Sequence, residues 1–234
     1  MTYTEKLNQY ITEGRLIRNA WTDLDDQGRE TACLLAAMSP EVAAGEDASA
    51  CPADIMPQWL AHLTPWMDDA GSDEAWPGMV RRYAAVAARW HVLSNETWQR
   101  LDHTARRIAL EDCLLAADSA APAVEGVLIL LRRAEAGGEV AASEWTAAGA
   151  AAWAAWAAAA WDAAEAARAA AVADSEWDAA EAAARAAEAA RAAARAAGDA
   201  AWTAAEDAAA DRITAAILTA IEQSCDKAEK ENDQ

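Results

Sequence analysis

Phenylalanine is absent and tyrosine occurs three times, so the aromatic share of any core falls to 12 tryptophans. Equally missing are a GxSxG elbow, a glycine-rich phosphate loop, an HExxH pair and any CxxC pair. Those gaps remove the usual sequence marks of serine hydrolysis, nucleotide binding, zinc proteolysis and dithiol chemistry. Basic residues are scarce, with Lys+Arg 19 against Asp+Glu 39 and a formal net charge of -20. Such a charge repels nucleic acid and anionic membranes and favours basic partners or plain solubility. No apolar run is long enough to span a bilayer. The uncharged stretch from Trp145 to Trp161 is mostly alanine and falls short of the ~20 apolar residues required. The run Val127 to Leu131 is closed by Arg132 and Arg133.

The opening MTYTEKLNQY lacks a basic segment followed by an apolar one, so no signal peptide is expected. Cys33, Cys51, Cys113 and Cys225 are scattered without a pattern. Together these suggest a cytoplasmic protein with reduced thiols buried as small hydrophobes.

What is present divides near Gly137-Gly138. All six prolines precede that point, whereas residues 141–220 contain 45 alanines in 80 positions. We therefore expect an all-α protein of two modules, a bundle of short helices in 1–140 and an Ala/Trp-rich module of long antiparallel helices in 141–234, ending in a disordered acidic tail. In the first module, helical spacing of apolar residues predicts helices over Thr4 to Ile11, Arg29 to Ala37, Trp59 to Trp66, Met79 to His91, 103–117 and 122–135. Residues 41–55 read as a loop. Ser94 caps the segment before Trp98, and Pro122 suits a first helical turn. No stretch alternates with period two, so a sheet is not expected.

In the second module Ser-Glu-Trp occurs at Ser143 and again at Ser175, each a suitable helix start. Breaks near Val172–Ser175 and Gly198-Asp199 suggest helices over 143–172, 175–197 and 199–226, with one continuous rod as the competing picture. Charges at 181, 185, 188, 191, 195 and 199 form one stripe, leaving an alanine surface that must be packed. Trp145, Trp153 and Trp156 share a face and supply bulk for core or oligomer packing. Trp161 points elsewhere, toward the first module or a second chain.

Asp23, Asp25, Gln27 and Gly28 match positions 1, 3, 5 and 6 of a calcium loop, but position 12 is Leu34 and not Glu. A turn is the better reading, and we assign no metal and no cofactor. His62, His91 and His103 have no ligand spacing, and no catalytic residue is assigned. Arg81-Arg82, Arg106-Arg107 and Arg132-Arg133 are expected to pair with neighbouring carboxylates. The acids remain. Clusters at Asp23, Asp25 and Asp26, at Glu46 and Asp47, and at Asp68, Asp69, Asp73 and Glu74 can imitate the phosphate spacing of DNA, ~3.4 Å per strand, or can simply be solvated loops. We take Asp23, Asp25, Asp26, Asp68, Asp69, Asp73 and Glu74 as the partner-binding candidates.

The tracts Ala152-Trp153-Ala154-Ala155-Trp156 and Ala160-Trp161-Asp162-Ala163-Ala164-Glu165, with the ending Asp211-Arg212-Ile213-Thr214-Ala215, resemble those of phage and prophage immunity-type proteins. The likeness covers mainly residues 145–221 and transfers no individual site. It implies a small helical inhibitor carried by a mobile element, of the anti-restriction, anti-CRISPR or immunity type. The expected partner is a protein with a basic surface, such as a nucleic-acid-binding defence complex or a toxin, with no direct contact to nucleic acid or membrane. The alternatives are a structural module that pairs two copies of this chain and a metal-dependent hydrolase.

Overall fold

The computed structural model describes residues 1–116, 121–158 and 202–232, with side chains over 1–112, 125–151 and 206–232. The chain is essentially all-α. Among the described residues it runs α1 (Tyr3–Glu13), β1 (Thr22–Leu24), β2 (Glu30–Ala32), α2 (Leu34–Met38), α3 (Pro40–Gly45), a 3-10 turn at Ala48–Ala50, α4 (Gln58–Asp69), α5 (Trp76–Ala87), a second 3-10 turn at Trp90–Val92, α6 (Asn95–Ala116), α7 (Ala121–Glu135), α8 (Ala142–Ala158) and α9 (Trp202–Asn232). None of the described helices is long and apolar enough to cross a membrane.

The helix expected over Arg29 to Ala37 is not one helix. Its first residues form β2, which pairs antiparallel with β1, Thr22 opposite Ala32 and Leu24 opposite Glu30. The Asp25–Gly28 turn closes this hairpin, with the Gly28 N–H donating to the Asp25 carbonyl at 2.8 Å and the Asp25 N–H to the Arg29 carbonyl at 2.9 Å. Gly28 holds a left-handed φ of 72°, the geometry that a type I turn followed by a bulge needs. Three-residue strands are too short to show an alternating pattern. The supposed loop over 41–55 likewise contains α3, started by the Ser39 hydroxyl, which accepts from the Val42 N–H, with Pro40 in the first turn.

α2 is five residues long and entirely buried. A buried helix start leaves backbone N–H groups that need acceptors. Two are provided, the Cys33 sulfur for Ala36 at 3.5 Å and the Asp68 carboxylate for Leu34 at 2.9 Å. Around α2 the core gathers Leu7 and Tyr10 from α1, Trp59, Leu60, Leu63 and Met67 from α4, and Tyr83 from α5.

α9 is where the sequence divides the chain differently from the packing. Ala210, Ile213, Thr214, Ile217, Leu218, Ile221 and Cys225 are buried at the i, i+3, i+4, i+7 spacing of one helical face. Ile213, Ile217, Leu218, Ile221 and Cys225 belong to the same core cluster as the first-module helices. The last helix thus completes the core of residues 1–140, although composition changes sharply at 140. Nor is the acidic end disordered through Asn232. Asp226 and Glu229 both pair with Arg89, Glu229 through two bonds at 2.8 and 2.9 Å. Each buried aliphatic side chain on α9 contributes about 2 kcal/mol, whereas ion pairs open to solvent contribute little. The apolar face holds α9 down, and the ion pairs set its register.

α6 and α7 pack together, with Val127, Leu128 and Leu131 buried and Ile129 57% exposed. The run Val127 to Leu131 is thus a helix with one buried face. α8 starts at Ala142, one residue ahead of the expected Ser143, because the Glu144 carboxylate reaches back to the Ala141 N–H at 3.0 Å. Trp145 stacks on His103 of α6 at 6.4 Å and so packs on the first module. Trp153 and Trp156 lie on α8, but their side chains fall outside the described residues, as do Trp161 and the charge stripe over 181–199.

Candidate functional site

The seven acidic candidates divide once placed. Asp23 and Asp26 are exposed on the hairpin, and Glu74 is exposed beyond α4. Asp25 is turned into its own loop, accepting from the Gln27 and Arg29 N–H groups at 2.9 Å and from the Arg29 guanidinium at 2.8 Å. Those bonds hold its carboxyl below the usual range, the Arg29 backbone N–H first among them. The Asp25 carboxylate is therefore spent on the turn.

Asp68 is fully buried and is withdrawn from any partner-facing patch. One carboxylate oxygen accepts the Leu34 N–H at 2.9 Å, and the other accepts the Trp76 indole N–H at 2.7 Å. It stands at the positive end of α2, which favours a negative charge. Burial nevertheless wins and pushes its carboxyl up to about 6. Behind it, Arg18 closes the end of α4. Its guanidinium donates to the Asp68 and Asp69 carbonyls at 2.9 Å each, to the Gly71 carbonyl and to the Asp73 carboxylate. The Asp69 carboxylate accepts the Asn19 N–H at 2.6 Å. Asp73 keeps a 99% exposed side chain although it pairs with Arg18.

The same loop latches α9. The Asp211 carboxylate accepts from the Ser72 N–H at 3.2 Å and from the Ser72 hydroxyl at 2.7 Å. A Cβ on Gly71 would stand 2.2 Å from an Asp211 carboxylate oxygen. We expect Gly71→Ala to push Asp211 off Ser72 and to cost about 1–2 kcal/mol, read as a lowered midpoint in urea unfolding. Under the latch, between α5 and α9, lies a cleft of about 280 Å3 lined by Met67, Ala75, Trp76, Met79 and Leu218. Its polar edge is occupied. Arg82 is bonded to the Ala215 carbonyl, Thr219 and Glu222, and Asp211 to Ser72.

Most arginines of the described residues meet a carboxylate. Arg107 bridges Glu111 and Glu135, Arg132 bridges Glu111 and Glu125, Arg133 meets Glu144, Arg106 meets Asp102, and Arg212 meets Asp112. Of the paired arginines of the sequence, Arg82, Arg106, Arg107, Arg132 and Arg133 make ion pairs, as their acidic surroundings predict, whereas Arg81 is exposed and is seen in none among the described residues. With Arg15, Arg18, Arg29, Arg82, Arg89 and Arg100, eleven arginines of the described residues hold a carboxylate.

Burial pushes the thiols of Cys33, Cys51 and Cys225 up to about 11, which keeps them protonated and inert at neutral pH. Burial lowers His62 and His103. His62 lies 3.1 Å from the Gln58 amide and His103 stacks on Trp145, while His91 is exposed. Among the described residues no three His, Cys, Asp or Glu side chains gather as metal ligands.

No family model, no curated protein and no solved structure matches this chain.

Proposed function

We propose that the protein is a non-catalytic acidic inhibitor that covers a basic, nucleic-acid-binding surface of a protein partner, as anti-restriction, anti-CRISPR or immunity proteins do. One observation carries this reading. Eleven arginines are tied to carboxylates within the fold, while Asp23, Asp26 and Glu74 stay exposed and in no ion pair among the described residues, and Asp73 stays exposed beside Arg18. A surface richer in acid than in base steers toward positive surfaces and is repelled by nucleic acid itself. Of the original candidates, Asp68 is excluded by burial, and Asp25 and Asp69 serve local structure.

The test is capture from a lysate of the source cells by tagged protein, followed by identification of the captured partner and measurement of its nucleic-acid binding. Capture is expected to weaken at least tenfold between about 50 mM and about 300 mM salt, and to be lost when Asp23, Asp26, Asp73 and Glu74 are changed together to Lys. A partner held equally well in both salts and by both proteins would refute the reading.

A further inference from the structure

A second hollow, of about 500 Å3, opens between the start of α1, the 53–57 loop, α4, the Trp90–Val92 turn and the start of α6. Its lining is aromatic. Trp98 meets Trp59 and Trp90 edge to face, with ring centroids 6.2 and 6.1 Å apart, and Tyr3 stacks on Trp90 at 6.2 Å. The rings fix one another. Trp90 is further held by its indole N–H, which donates to the Tyr3 hydroxyl at 2.9 Å, and by Tyr83 edge-on at 5.8 Å. Trp59 and Trp90 are almost fully buried and form the floor, while Tyr3 and Trp98 are half-buried and leave ring surface open. Lining charge is of one sign, with Asp54 and Asp102 present and no lysine or arginine. Asp102 is paired with Arg106, whereas Asp54 is exposed and is seen in no ion pair among the described residues. His91, also in the lining, is the one group that could add positive charge.

Aromatic faces arranged around a space with carboxylates at its edge attract organic cations, because ring quadrupole and carboxylate act on the same charge and the rings also cover the attached methylenes. A hollow of this size lies in the range of ligand sites.

We propose that this hollow receives one lysine or arginine side chain of the basic partner, the ammonium or guanidinium lying against Trp98 and Tyr3 with Asp54 at the rim. This rests on the inhibitor reading above and gives it a point of registration that a diffuse negative surface lacks. Calorimetric titration of the full chain with Nα-acetyl-lysine methylamide and Nα-acetyl-arginine methylamide tests it, with neutral Nα-acetyl-norleucine methylamide as control. The cationic derivatives are expected to bind at least about tenfold more tightly than the neutral one. Trp98→Leu and Asp54→Asn should each weaken them by about three- to tenfold. Circular dichroism checks the fold of both variants. Should Trp98→Leu fail to fold, Asp54→Asn, a change at an exposed side chain, carries the test. Equal binding of the neutral derivative, or no binding of either cation at about 10 mM, would overturn the site. If partner capture stays salt-dependent while the cations fail to bind, this hollow alone is refuted. If the cations bind and no basic partner is captured, the inhibitor reading falls and the cation site stands.

Discussion

Replacing Asp68 by alanine is expected to lower the unfolding free energy by about 2 kcal/mol at pH 7 and by about 4 kcal/mol near pH 4.5, measured by urea unfolding. The loss has a simple origin. The Leu34 and Trp76 N–H groups both end on this carboxylate, and each buried donor left without an acceptor costs about 1–3 kcal/mol. The pH dependence follows from the raised carboxyl, at about 6 against an ordinary 3.8. A native state that holds its proton to higher pH than the unfolded chain is favoured in acid. The proton-linked part of the Asp68 contribution therefore declines as pH rises from about 4 to about 6 and is lost above that, a span of roughly 2 kcal/mol between pH 4.5 and 7, while the two hydrogen bonds remain. His62 and His103, lowered by burial, work the other way and destabilise the fold as pH falls through their unfolded value. The alanine variant keeps the histidine trend, joined at its acid end by carboxyls held low such as Asp25 and Glu135, so its stability should rise with pH across this window. A variant with unchanged stability at both pH values would mean that the carboxylate does not hold α2.

Ile217→Ala should cost about 3 kcal/mol, within the range for truncating a buried isoleucine. Ile217 is 1% exposed on the face of α9 that closes the core. Its loss weakens the seam at the centre, while the Asp211 and Arg89 contacts remain on either side of it. Hydrogen exchange should therefore speed up along residues 213–225 more than in α4 or α7. If α9 were a separate module, the same substitution would leave exchange in α5 and α6 unchanged. We expect it to rise there too, because those helices share the interface.

The helical class was legible because apolar residues recur at three- and four-residue steps through α1, α4, α5 and α7. The place of α9 was hidden by composition. Forty-five alanines in residues 141–220 suggest a module of their own, yet Ile213, Ile217, Leu218 and Ile221 lie in the stretch where alanine thins out, and their spacing marks a helix with one sticky face. The hairpin is not legible because two three-residue strands carry almost no periodicity, and its signature, the turn Asp25-Asp26-Gln27-Gly28, also suits a turn that leads into a helix.

Asp68 shows how the acidic candidates were misjudged. In a run containing Asp68, Asp69, Asp73 and Glu74, side-chain chemistry does not distinguish the buried acid from the exposed ones. Position does, since Leu60, Leu63, Thr64, Met67 and Asp68 share one helical stripe, so a carboxylate there faces the core. Ring clustering was invisible for a different reason. Tyr3, Trp59, Trp90 and Trp98 come from four elements, and only tertiary packing brings them around one space.

The charge argument is most directly tested by one competition experiment. The captured partner is bound to its nucleic acid at about 50 mM salt, and the wild-type protein is compared with the variant in which Asp23, Asp26, Asp73 and Glu74 are all Lys, its fold checked by circular dichroism. The wild type is predicted to displace the nucleic acid, and the folded variant to do so at least tenfold more weakly. Equal displacement by the two proteins would contradict the assignment of these outward carboxylates as the working surface.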